Sequence, residues 1–239
     1  MVQKEEMIMW TRKELKDRAK AVLKTTYWKA FLASLILTMV GGGGSFFTFE
    51  MDGGDLGEKL LQEGRTEVLA GFILLAVGAA LTAAVVGILI SVFVGGPLEV
   101  GVQKFFLGNQ EERGNLNDLG GGFAKESYLK VVTAMFLRTL YLFLWSLLFV
   151  IPGIVMGYAY QMVPYILAEN PGMESKEALA RSRAMTEGHK WNMFVLDLSF
   201  LGWMLLGLVT FGIGILFVMP YVLSTRAELY LRLKQINPA

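Results

Sequence analysis

The hydrophobic positions of this chain fall in long, nearly uninterrupted runs, not in the period-two or one-faced patterns of soluble strands and helices. Six runs stand out, at residues 27–44, 68–94, 128–151, 154–168, 191–209 and 215–223. A membrane-crossing helix needs about 20 apolar residues, so the pattern predicts an all-α fold, a polytopic membrane helical bundle of six transmembrane helices. The run at 154–168 would cover about 22 Å as a helix, against about 30 Å for a hydrocarbon core. That pair therefore either spans a locally thinned bilayer or is re-entrant. Full spans are favoured, because Tyr158, Tyr160 and Tyr165 suit helix interfaces.

The runs come in pairs. The first two flank a loop that opens on Gly-Gly-Gly-Gly-Ser at 41–45, read as a natural flexible external loop. The second two are joined by Pro152-Gly153, a dipeptide suited to a tight turn, and the third by the short TFGIG segment. One integral membrane domain over 1–239 follows, built from three hairpins. Residues 1–26 form a cytoplasmic interfacial helix, 27–107 the first hairpin, 128–170 the second, and 174–234 an interfacial helix with the third.

Basic residues set the orientation. Lys4, Arg12, Lys13, Lys16, Arg18, Lys20, Lys24 and Lys29 precede or open the first span, whereas the next loop has only Lys59 and Arg65 among its acids. The excess predicts cytoplasmic N- and C-termini. The two short hairpin turns carry no basic residue and fall outside.

Three stretches repeat a theme. YWKAFLASLIL from Tyr27, YLKVVTAMFLR from Tyr128 and KWNMFVLDLSF from Lys190 each open a span with an aromatic and a polar or basic anchor, after a charged segment. The second helix of each pair carries a proline near its cytoplasmic end: Pro97, Pro164 and Pro220. An internal repeat of interfacial helix, span, turn and proline-bearing span is expected. Pro97, Pro152, Gly153, Pro164 and Pro220 are the candidate helix-break positions, read first as simple kinks and second as places where freed carbonyls line a cavity.

Composition agrees with lipid as solvent: 54% of the 239 residues are hydrophobic and 18% charged, with a mean hydropathy of +0.49. The net charge of +1 gives no reason to expect a nucleic-acid partner. Absence of Cys excludes disulfides, thiolate metal sites and Cys nucleophiles, and the single His189 leaves little for a zinc site or a triad. No metal and no cofactor are expected. The first apolar run lies too far along the chain, without a small-residue cleavage site, to read as a cleaved signal peptide.

Ionisable residues inside the apolar runs are the functional suspects, since an unpaired charge in hydrocarbon costs several kcal/mol. Arg138 lies well inside its run and Asp197 about six residues into another; Glu99, Arg226 and Glu228 lie nearer the boundary. Arg138, Asp197 and Glu99 form the expected intramembrane polar cluster. It would serve either as an interhelical ion pair, with Arg138 joined to Asp197 or Glu99, or as a site for an anionic headgroup or substrate.

The stripe Trp10, Leu15, Ala19, Val22 and Leu23, with basic residues between, is expected to lie in the cytoplasmic headgroup layer. The segment 174–190 reads the same way, with Ala178, Arg181, Ser182 and Met185 on one face. Trp28, Trp145, Trp191 and Trp203 suit interfacial belts, and the small residues Gly71, Gly78, Ala79, Ala80, Ala83, Ala84 and Gly87 suit close helix packing. No P-loop, dinucleotide fingerprint or HExxH occurs, and an enzyme is not expected.

Several strings carry a family likeness: MWTRKELKDRAK, GPLEVGVQKFFL, FLWSLLFVIPGIVMGYAYQMVPYILAENP, EALARSRAMTEGHKWNMFVLDLSFLGW and PYVLSTRAELY. Together they resemble the bacterial integral-membrane family catalogued as domain of unknown function 975, over nearly the whole chain from Met9. The resemblance implies a six-helix cell-membrane protein, with a more distant likeness to the membrane portions of some glycerophosphodiester phosphodiesterases. It implies no activity, and the soluble phosphodiesterase domain has no counterpart here.

Two functions remain open at this level. One is a non-enzymatic membrane module that binds lipids, partner proteins or a second copy of itself. The other is a small-molecule or lipid transporter or translocase using Arg138 and Asp197.

Overall fold

The computed structural model describes residues 10–41, 66–111, 114–210 and 212–237, all helical or turn. The Gly-rich loop after residue 41 and the segment before Trp10 lie outside the described residues.

The first helix, α1 (Arg12–Gly41), is continuous, so no break in the backbone marks the expected boundary at 26/27. No Gly or Pro interrupts the sequence there, and neither polarity change nor aromatic anchor breaks a backbone ladder. The stripe expected in the headgroup layer is instead core: Trp10, Leu15, Ala19 and Leu23 are buried. Trp10 lies beside His189, while Leu15, Ala19 and Leu23 belong to α1, which packs against α10 (Ile213–Ile236), the last helix. The two run antiparallel, since Arg232 bonds Glu14, Arg18 faces Glu228 at 4.0 Å, and the Tyr27 hydroxyl donates to the Phe217 carbonyl at 3.1 Å.

Helix α2 (Thr66–Ile90) runs through a π turn, Ser91–Gly95, directly into α3 (Gly96–Gln110). The two ends of this long helix differ sharply. Its α2 part is exposed along its length, with open space around Gly71, Gly78 and Gly87, whereas α3 is largely buried. A surface as apolar as α2 is unexceptional against hydrocarbon, where burial supplies no driving force.

Against α3 lies a 3-10 segment, Leu116–Phe123, opened by a capping box in which Asn115 and Asp118 satisfy each other's backbone. Glycines permit the contact: a Cβ on Gly101 would sit 2.0 Å from the Leu119 carbonyl oxygen, and one on Gly122 1.9 Å from that of Pro97.

Helix α4 (Tyr128–Leu148) ends at Phe149, whose extended backbone (φ −160°) makes a one-residue joint to α5 (Val150–Ala159). Pro152 and Gly153, expected to be the turn, fall inside the first turns of α5. Proline is tolerated there because the first helical N–H groups have no intrahelical acceptor. Gly153 has a packing role, for a Cβ on it would lie 2.6 Å from the Ser146 hydroxyl oxygen and 3.0 Å from Ser146 Cα.

After a turn at 160–162 come α6 (Val163–Glu169), α7 (Ser175–Thr186), α8 (Lys190–Leu198), α9 (Leu201–Val209) and α10. The face of α7 that holds Ala178, Ser182 and Met185 is buried in protein, not laid on lipid. Between α9 and α10, Gly212 takes a left-handed φ of +83°, and the Thr210 hydroxyl accepts the Gly214 N–H at 2.9 Å.

Four helical stretches among the described residues are long and apolar enough to cross a membrane: Thr66–Gln110, Tyr128–Leu148, Val150–Glu169 and Lys190–Val209. They make this an all-helical chain with the build of a membrane protein. The apolar parts of α1 and α10, expected as the first and sixth spans, do not add to that number.

Candidate site at the broken helices

The turn at 160–162 interrupts what would otherwise be one helix across 150–169, and Pro164 explains its place. Proline has no N–H for the carbonyl four residues back, so the Tyr160 carbonyl is left for other donors. Arg138 on α4 supplies one, its Nε donating at 3.2 Å. From α7, the Ser182 hydroxyl donates to the Ala159 carbonyl at 2.7 Å and accepts the Met162 N–H at 3.2 Å. Thr186 adds a longer bond to Ala159. Irregular backbone inside apolar surroundings persists only where such partners exist.

The same arithmetic holds at Pro97. Its freed carbonyl is that of Phe93, inside the π turn, and the Tyr128 hydroxyl donates to it at 2.7 Å. Pro220 behaves differently, since α10 continues through it. The nearby Phe217 carbonyl takes the Tyr27 hydroxyl, but the helix is not broken. A second interruption, at Ser199-Phe200 between α8 and α9, has no proline; there Lys16 Nζ donates to the Ser199 carbonyl at 3.2 Å and lies 4.1 Å from the Phe200 ring centre.

The charges form two separate pairs. Arg138 Nη1 reaches both Glu99 oxygens, at 3.1 and 3.2 Å. Asp197 is held by Arg226 Nη2 at 3.1 Å and by the Tyr158 hydroxyl at 3.2 Å. Of the two partners considered for Arg138, the fold selects Glu99. The proposed cluster of Arg138, Asp197 and Glu99 is thus a pair plus a member of another pair.

Between them stands Tyr165, fully buried and stacked on Tyr230 with ring centres 5.4 Å apart. Its hydroxyl has no hydrogen-bond partner, yet lies within electrostatic reach of Arg226, Glu99, Arg138 and Asp197. A cavity of about 200 Å³ touches Glu99 of the first pair, and is lined also by Ser91, Gly95 and Thr139 among others.

Sequence reasoning gave Ser182 to a headgroup-layer face and Tyr158 and Tyr165 to helix interfaces, assigned none of them to the site, and placed Arg226 at the margin. Ser182 was visible as a small polar residue on the buried face of α7, but its target, an opened carbonyl twenty-three positions earlier, was not.

Residues 147–237 match the family model described as "Protein of unknown function (DUF975)". That stretch belongs to the DUF975 family. It carries the broken helices with Tyr158, Pro164, Ser182, Asp197 and Arg226, while Glu99 and Arg138 precede it. The description assigns DUF975 no function. No curated protein and no solved structure matches the chain.

Proposed function

We propose that this chain is a non-enzymatic, multi-pass module of the bacterial cell membrane that holds lipid or a partner protein. The observation that supports it is how the intramembrane charges are used. Arg138 is committed to Glu99 and to the Tyr160 carbonyl, and Asp197 to Arg226 and Tyr158. Charges compensated in this way fix how the broken helices pack, and each of these four is already engaged by a partner. Native mass spectrometry of the purified chain tests the reading: retained phospholipid or a stoichiometric partner is expected, and a chain free of both would sink it.

Six spans with cytoplasmic termini are the arrangement we favour. Supporting it, the apolar end of α1 pairs with the start of α10, Phe31 stacking on Phe217 at 5.0 Å, and basic residues crowd the early part of α1. Because the chain lacks Cys, single cysteines introduced near residues 13 and 234 can be labelled from either side of intact cells. Labelling of either from outside would overturn the topology.

The cavity beside Glu99 keeps a translocase reading in play. A π turn and an acidic residue line it, and π turns inside helices frequently mark functional sites. Proteoliposome flux that vanishes in Glu99→Gln would favour it over the binding module.

A further inference from the structure

The geometry points to a binding groove for an anionic diacyl phospholipid between α1, α9 and α10. This rests on the lipid-binding reading above and gives it a site and a headgroup charge.

The groove encloses about 690 Å³ and is almost wholly apolar, walled by Leu23, Trp203, Phe217 and Val218. That volume is in the range of built ligand sites. The Tyr27 hydroxyl bonded to the Phe217 carbonyl ties α1 to α10 along one wall. The apolar stretch of that lining suits an acyl chain.

Its charged members are Lys20 and Lys24, one helical turn apart on α1 and so on the same face. Both are exposed. Among the described residues neither forms a salt bridge, although six other bases do. Lys20 Nζ lies 5.6 Å from the centre of the Tyr221 ring in the groove wall. Lys16 continues the stripe one turn earlier, and burial, followed by the charges of Lys20 and Arg12, holds it below the ordinary lysine value. Asp17 is the carboxylate close enough to act on Tyr221, and it leaves the stripe with an excess of positive charge.

An apolar trough with two uncompensated ammonium groups at its rim is complementary to an amphiphile with an anionic head. A neutral lipid would leave the lysines unpaired, and a soluble acidic peptide would leave the trough empty. Long basic side chains placed beside apolar surface meet headgroup phosphate at a gain of about thirtyfold in affinity for two lysines.

The test uses Trp203 as a reporter in the full chain in detergent micelles. Phosphatidylglycerol with brominated acyl chains should quench Trp203, read as the difference between the native chain and Trp203→Phe, at concentrations about thirtyfold below those needed for brominated phosphatidylcholine. Lys20→Gln with Lys24→Gln, both at exposed positions, should remove that preference. Lys190→Gln should leave it intact, though it borders another apolar groove with Trp191 and Phe194. Equal quenching by both lipids, or a preference that survives the double substitution, overturns the site while leaving lipid binding elsewhere possible. Native mass spectra without any retained lipid would instead remove the broader reading. An acidic peptide that competes equally well whether or not the lipid carries acyl chains would make the lysines a protein-docking surface and overturn the proposal.

Discussion

Arg138 and Glu99 face each other across α4 and α3, with one guanidinium nitrogen shared between both carboxylate oxygens at 3.1 and 3.2 Å. The remaining Nε of Arg138 is spent on the Tyr160 carbonyl. One side chain thus closes an ion pair and a broken helix at once. Removing one member leaves the other charge without a partner, at a cost of about 3–5 kcal/mol. Arg138→Met and Glu99→Leu are each expected to lower the thermal midpoint in detergent strongly, and the double variant to recover most of the loss. A double variant no better than either single would show that the pair does not couple.

Ser182 bridges the backbone of the break, so Ser182→Ala strands the Met162 N–H and leaves the Ala159 carbonyl only the longer Thr186 bond. A buried unsatisfied group costs about 1–3 kcal/mol. The substitution should destabilise the chain and speed amide exchange at Met162, whereas Ser182→Thr, which keeps the hydroxyl, should do less harm. Unchanged exchange at Met162 would show that water already serves it.

Tyr165 is the opposite case. Its hydroxyl is buried without a partner while its ring stacks on Tyr230. Tyr165→Phe keeps the stack and removes the orphan, so thermal stability should hold or rise by about 1 kcal/mol. A large loss would reveal a buried water or ligand held by that hydroxyl.

Gly101 and Gly122 bring α3 and the 3-10 segment into backbone contact. A methyl group at either meets a carbonyl oxygen that cannot swing aside, so Gly101→Ala and Gly122→Ala should cost about 3 kcal/mol or prevent folding. Gly120, with open space around it, serves as the control: Gly120→Ala should be close to neutral in the same melting experiment.

His189 packs at 6.4 Å from the ring of the buried Trp10, and its Nδ1 has no partner. Burial lowers its pKa from the ordinary 6.5, so the unfolded chain takes up this proton first as pH falls. The stabilising contribution is present above about 6.5 and is lost as acidity drives the folded imidazole to charge. His189→Gln should flatten the fall in stability between neutral pH and pH 5. The comparison must be made as a difference, because burial raises the Glu228 pKa and gives a slope of the opposite sign.

The long apolar runs determined the all-helical build and the approximate place of the spanning stretches, because a backbone without water must close its own hydrogen bonds. The same physics marked Glu99, Arg138 and Asp197 as residues needing partners. Pro164 marked a break, since a missing N–H is a local fact of sequence. What sequence could not supply was pairing. Whether Arg138 meets Glu99 or Asp197 depends on which helices lie side by side. Whether Leu15 and Ala19 face lipid or α10 depends on the same packing, and the stripe reads identically in both. The joint at Phe149 lies three residues before the Pro152-Gly153 turn that the sequence marked, whereas the break at Ser199-Phe200 escaped because it carries no local breaker of its own; a lysine donated from another helix, Lys16 on Ser199, accompanies it. Residue types specified which groups had to be satisfied, and only the tertiary structure decided by whom, because hydrogen bonds and ion pairs act over a few ångströms between positions far apart in the chain.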